Sequence, residues 1–259
     1  MRASAGHRYW NLLREITVSQ YRLKDQHTAF GYAWGFLHPL LLLGILYVFF
    51  SSWAGQNIPH YGLYLLIALV HFTHFSNSTS AAMMVLYNSR ALTCNTVLPK
   101  EVLVIGTVLS KTPEFAISMA ICVLLALATG IAPGWPLLLL PLVVLLQILL
   151  VLWVSLLLAA VYVFVKDTEH VYQVFLRVLF LVTPTFYTPE LLGHGAARWA
   201  VVLNPLAQLI GYSRALLLGE PESAWQAGLI VGLLVVNALL IAAALSFFRR
   251  LEPRFAENV

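Results

Sequence analysis

Two pairs of side chains in this sequence have the types and spacing to do chemistry in apolar surroundings. His71 and His74 stand three residues apart, and so do Lys111 and Glu114. Residues at that spacing share a helix face, so two imidazoles can hold a metal or relay a proton, and the ammonium can pair with the carboxylate. A metal wants a third or fourth ligand arriving from another element, and none stands out. Cys94 and Cys122 fit no ligand spacing and no disulfide framework. For the histidines two readings stay open: polar side chains that bond across packed helices, which is preferred, or a proton or metal role. Lys111 and Glu114 read either as a structural pair near a membrane interface, the preferred reading, or as a substrate-contacting site. No nucleophile, base and orienting group converge, so no catalytic residue and no metal site is assigned.

The elements that must position these groups follow from composition. Of 259 residues, 60% are hydrophobic and 10% charged, with a mean hydropathy of +0.83; this excludes an ordinary soluble domain. The expected fold is an all-α, polytopic membrane protein with six transmembrane helices, at about 33–53, 61–87, 102–128, 137–164, 171–187 and 225–248. Residues 1–30 form a separate unit ahead of the transmembrane domain 31–259. There Tyr9, Trp10, Leu12, Leu13 and Ile16 recur near helical spacing among Arg2, Arg8, Arg14, Arg22 and Lys24, which predicts an amphipathic helix on the membrane surface. These residues are too polar to be a cleaved signal peptide.

Basic residues orient the spans. Arg2 to Lys24, Arg90, Lys100, Lys166, Arg249, Arg250 and Arg254 all fall on one face, and the opposite loops 54–60 and 129–136 contain no Lys or Arg. The positive-inside rule puts both termini in the cytoplasm. The net charge of +4 is therefore an orientation signal, and no nucleic-acid partner is expected. Beyond the fifth span, Pro189, Gly193, Gly195, Pro205, Gly211, Gly219 and Pro221 divide the chain into apolar pieces too short to cross. Broken backbone at membrane depth must be covered by protein or line a watery cavity, so 189–222 reads as a re-entrant segment. Within it, Arg198 and Arg214 either touch a substrate phosphate or pair with Glu190, Glu220 and Glu222, the second being preferred. The loop Asn88–Glu101 reads as a short surface helix with nothing in its own chain to pack on, hence a cytoplasmic docking element.

The chain resembles the membrane permease subunit of a type-2 ABC exporter, in the branch that exports bacterial polysaccharides such as O-antigen, capsule or teichoic acid. Tyr21-Arg22-Leu23-Lys24, Gly31-Tyr32-Ala33-Trp34 and Pro39 are similar to that family's approach to its first span. Leu98-Pro99-Lys100-Glu101 resembles its element after span two, and Lys166-Asp167 its turn after span four. Pro184-Thr185-Phe186-Tyr187, then Asn204-Pro205, Arg214 and Gly219, resemble its fifth span and re-entrant stretch; Arg250–Glu257 resembles its tail. Departures are Leu98 for an aromatic, Thr185 for an aliphatic, and Lys100 and Lys166 for arginines, which exchange a planar fork for a point charge.

The resemblance implies a homodimer of permeases and two ABC ATPase subunits. No Gly-x-x-x-x-Gly-Lys-Ser/Thr loop occurs, so ATP and Mg are expected on the ATPase and no cofactor on this chain. Asn88, Arg90, Pro99, Lys100, Glu101, Lys166 and Asp167 would couple to it. The substrate would be a lipid-linked polysaccharide, foremost the O-antigen of lipopolysaccharide, crossing the bacterial inner membrane. Tyr32, Trp34, Phe36, Phe186 and Tyr187 would line its channel, where sugar rings stack on aromatics; membrane-interface belts are the competing reading. Asn204, Pro205 and Arg214 belong to the re-entrant, periplasmic element. Alternatives are export of a drug or small lipid and, more remotely, an intramembrane enzyme using His71, His74 or His194.

Overall fold

The computed structural model describes residues 5–23, 34–52, 55–56, 58–95, 98–131, 134–189, 195–219 and 227–258, and among these the regular structure is helical throughout. Helix α1 (Ala5–Leu23) precedes α2 (Trp34–Phe50), α3 (Tyr61–Asn88), the six-residue α4 (Arg90–Asn95) and α5 (Glu101–Ala128). A 3-10 turn at Trp135–Leu139 leads into α6 (Leu140–Phe164), followed by α7 (Thr168–Val182), α8 (Ala196–Val202), α9 (Pro205–Leu218) and α10 (Ala227–Leu251). A 3-10 turn at Glu252–Arg254 and α11 (Phe255–Asn258) end the described chain. Among the described residues, three helical stretches are long and apolar enough to cross a membrane: Glu101–Ala128, Trp135–Phe164 and Ile230–Arg254.

Helix α3 is the centre. It packs against α2, α5, α6 and α9, and Leu63 to Val70 are buried on every side. Its polar middle is spent on those neighbours. Gln147 of α6 accepts from His71 Nδ1 at 3.2 Å, so Nε2 is the lone-pair nitrogen and accepts from the Ser213 hydroxyl of α9 at 2.8 Å. Thr79 donates to the Phe75 carbonyl at 2.7 Å, leaving Tyr172 of α7 to donate to Thr79 Oγ1 at 2.6 Å. Trp153 Nε1 likewise ties α6 to Asn237 of α10 at 3.1 Å. Each such bond contributes about 0.6–2 kcal/mol between helices in lipid. The helix-packing reading of the histidines thus has its geometry: His71 is bonded on both nitrogens, and His74 stacks on Phe115 at 4.3 Å.

Helix α5 is divided at Pro113, whose missing N–H releases the carbonyl four residues earlier. Before it, Glu101 to Val104, Gly106 to Val108 and Ser110 are buried, because α1 covers one side and α3 another. A Cβ at Gly106 would come within 2.7 Å of Ile16 Cγ2, so glycine is what lets the two backbones approach. Leu13 is buried in the same seam, while Trp10 stays exposed.

Two expectations need correction. The fifth segment, read as 171–187, is helical only over Thr168–Val182, 15 residues or about 22 Å. Thr183 has the extended ψ of 128° that a following proline imposes, and 183–187 turn away from the axis. The loop Asn88–Glu101 is not without a partner in its own chain. Its helix α4 packs against α11 and α3, and Thr93 is buried, donating to the Leu86 carbonyl at 2.8 Å.

Candidate functional site

The turn after α7 is non-helical and largely buried, so its carbonyls need donors. Each one from Leu181 to Tyr187 has a donor. The Tyr187 hydroxyl lies 3.0 Å from both the Leu181 and Val182 carbonyls, closing the last turn of α7. The Thr185 N–H bonds the Thr183 carbonyl. Arg214 Nη1 donates to the Pro184 carbonyl at 2.7 Å and Nη2 to the Thr185 carbonyl at 2.8 Å. Tyr61 and Tyr64, on the first turn of α3, donate their hydroxyls to the Phe186 and Tyr187 carbonyls at 3.0 and 2.9 Å.

Arg214 is itself 4% exposed. Its Nε donates to the Tyr64 carbonyl at 3.0 Å, and its guanidinium carbon lies 3.3 Å from the centre of the Tyr64 ring. A planar fork satisfies two successive carbonyls and stacks on a ring at once, which an ammonium cannot do. Local sequence aims the arginine there. Asn204 caps α9 by accepting from the Leu206 N–H at 3.0 Å, Pro205 takes the first helical position, and Gly219 ends the helix at φ 72°. Asn204 also donates to Thr183 Oγ1 at 2.9 Å, which fixes the start of α9 to the end of α7. Among the described residues the hydrogen bonds of Arg214 go to backbone carbonyls; Glu190, Glu220 and Glu222, the carboxylates of the preferred pairing, lie outside the described residues.

At the other end of the helices, Glu101 is buried and holds Arg249 at 2.8 Å. Glu252 accepts from the Lys100 N–H at 2.8 Å, capping α5 from the C-terminal segment. Burial, and then the Glu101 charge, raises the pKa of Tyr9. Lys166 Nζ sits 3.9 Å over the Tyr87 ring and 4.9 Å from that of Tyr162. Desolvation there, and then the Arg90 charge, lowers its pKa.

Residues 12–218 match the ABC-2 type transporter family. The chain belongs to that family. It is also similar over almost its whole length to curated O-antigen export system permease proteins RfbA. With the one from Myxococcus xanthus it is 27% identical, covering 98% of this chain and 97% of that protein. With one from Klebsiella pneumoniae it is 24% identical, over 96% and 95%.

In this ABC-2 chain the anticipated coupling residues fall at one end of the bundle. Asn88 and Arg90 are exposed around the α3–α4 junction, and Asp167 is exposed at the start of α7. Pro99 is exposed and Lys100 half-buried, whereas Glu101 is buried with its Oε1 paired to Arg249. Of the anticipated channel aromatics, the side chains of Phe36, Phe186 and Tyr187 are among the described residues. Tyr32 lies outside the described residues, as does the Trp34 side chain; Phe36 is half-buried on α2. Phe186 stacks on Phe50 at 4.6 Å, and Tyr187 is buried, closing α7. Lys111 and Glu114 are half-buried and line a small cavity with Asn77 and Ser78. A Cβ at Gly35 would overlap the Glu114 carboxyl, so α2 crosses α5 at that glycine. Sequence reasoning passed over Arg177, an exposed arginine in the middle of α7. The signal was present: an arginine inside an apolar segment is a functional candidate by default, and Gln173 lies four residues before it on the same face.

Proposed function

We propose that this protein is the transmembrane permease subunit of an ABC transporter that exports O-antigen as a lipid-linked polysaccharide across the bacterial inner membrane. The observation that carries the reading is the near full-length similarity to permeases named for O-antigen export, within the ABC-2 family. ATP and Mg bind a separate ATPase, since this sequence has no phosphate-cradling loop. Two permease copies and two ATPases assemble, with six spans per permease, both termini cytoplasmic, α1 at the membrane surface and 189–222 re-entrant. The shortness of α9, 14 residues or about 21 Å, and the complete bonding of the turn before it support the re-entrant assignment. The basic residues clustered at the α3–α4, α6–α7 and α10–α11 junctions support the orientation.

Asn88, Arg90, Pro99, Lys100, Lys166 and Asp167 receive the ATPase, with Glu101 anchoring the ends of α5 and α10 behind them. A push on this end reaches the far side through α3, which carries Asn88 at one end and the Tyr61–Tyr64 clasp at the other. The experiment is co-expression of the tagged chain with its neighbouring genes and purification in detergent. A P-loop ATPase co-purifying in equal amount is the expected result; a permease that purifies alone contradicts the reading.

A further inference from the structure

Beside the clasp, α8, α9 and the turn after α7 border a cavity of about 320 Å³. Tyr64, on the first turn of α3, lines it too, so the cavity lies at the end of the bundle opposite Lys166. Its other polar side chains are Thr188, Arg198, Gln208 and Arg214. Arg214 stays bound to its three carbonyls, and Gln208 donates to the Val202 carbonyl at 3.0 Å. Arg198 is exposed and Thr188 half-buried, and neither side chain makes a hydrogen bond or ion pair among the described residues. No Asp or Glu is among the described residues lining the cavity. Two guanidinium groups therefore give this small space a positive potential, and one of them has donors unspent.

Helix α8 has two faces. Arg198, Val201 and Val202 line the cavity, at the spacing of one helix face. Trp199 and Leu203, four residues apart, do not line it and are 66% and 76% exposed. The chain also runs inward along α8. Asn204 to Leu206, which follow it, share a groove with Leu150, ten residues or about 15 Å into α6 from Leu140. Arg198 is thus outermost, Trp199 stands beside it, and Leu203 is deepest. A cation, then an indole, then an aliphatic side chain is the order that meets phosphate, headgroup boundary and hydrocarbon on entering a bilayer leaflet.

We propose that this cavity holds the phosphate of an anionic bilayer phospholipid, with Arg198 as its cationic contact, Thr188 donating its hydroxyl, and the acyl chains against Trp199 and Leu203. Arg198 pairs with phosphate oxygens through its fork, and Arg214 adds charge while keeping its carbonyls. A free phosphate would satisfy Arg198 but leave Trp199 and Leu203 uncovered; a phospholipid covers all three. So seated, the lipid ties α8 and α9 to the leaflet. Nothing in this site depends on what the permease exports.

The test uses the full-length permease in detergent and a phosphatidylglycerol with a diazirine near the head of one acyl chain. After illumination, labelled peptides are mapped by mass and normalised to labelling of α1, where Arg8 and Arg14 are exposed. Labelling within 184–211 is expected to fall about tenfold or more in Arg198→Gln, as for the loss of a charge-assisted pair, and at most about threefold in Arg198→Lys. Trp199→Ala and Thr188→Val should each lower it severalfold, and they carry the test if Arg198→Gln fails to fold. Unlabelled phosphatidylglycerol should compete at a concentration at least tenfold below that of phosphatidylcholine. Equal competition by the two lipids, or labelling of 184–211 that ignores these substitutions, overturns the site. Inorganic phosphate competing at the same concentration as phosphatidylglycerol, with Trp199→Ala without effect, overturns the assignment to a lipid.

Discussion

Replacing Arg214 by Gln removes the only described side-chain donor to the Pro184 and Thr185 carbonyls. The third acceptor, the Tyr64 carbonyl, lies inside α3 and keeps its helical bond, so two groups are orphaned. At about 1–3 kcal/mol for each unsatisfied buried group, the loss is about 2–6 kcal/mol before relaxation. A chain of this size loses roughly 2–4 °C in Tm per kcal/mol, so thermal unfolding of the detergent-purified permease should fall by about 5 °C or more. Protease sensitivity should rise at 183–204, where the turn is released. Arg214→Lys keeps the charge but reaches at most one of the two carbonyls in good geometry, and should recover less than half of the loss. A Tm within 1 °C of wild type for Arg214→Gln would refute the clasp. If export were nonetheless abolished, the arginine would belong to a substrate phosphate instead.

Three other outcomes follow from the same geometry. Gly106→Leu should push α1 off α5, because even a Cβ there meets Ile16; an engineered disulfide between the two helices would then form in wild type and fail in the variant. Burial raises the Tyr9 pKa above 10.0, so the neutral phenol is favoured in the folded state. Its contribution is complete below the ordinary value and lost as pH rises through the raised one. Fluorescence of the neighbouring Trp10 should therefore shift above about pH 10 in wild type, and the Tyr9→Phe variant should lack that component. In inverted and right-side-out vesicles, Arg90→Cys and Asn258→Cys should label from the cytoplasmic side, and Gln56→Cys from the opposite side; labelling of all three from one face would contradict the six-span topology.

The sequence made the long helices legible because their signal is local. Tyr61–Asn88, Glu101–Ala128 and Leu140–Phe164 lie within a few residues of the stretches that hydropathy alone marks out. The end of α7 was hidden because Phe186 and Tyr187 prolong the apolar run past Pro184, and hydropathy does not register that Thr183 must become extended. The partners of Arg214 were hidden for a different reason. They are carbonyls, present at every position and invisible in any motif, and they lie 29, 30 and 150 residues away. The Glu101–Arg249 pair was hidden for the same reason, since the two residues lie 148 positions apart, beyond any spacing rule. Arg177 was readable in principle, since its cost inside a membrane helix is a property of one residue.

The measurement that bears most directly on the account is the fate of O-antigen in a strain lacking this gene. Lipid-linked polymer should accumulate on the cytoplasmic side of the inner membrane and vanish from the cell surface, with both restored by the wild-type chain. Unchanged surface O-antigen, with no lipid-linked polymer retained inside, would contradict the assignment of this permease to polysaccharide export.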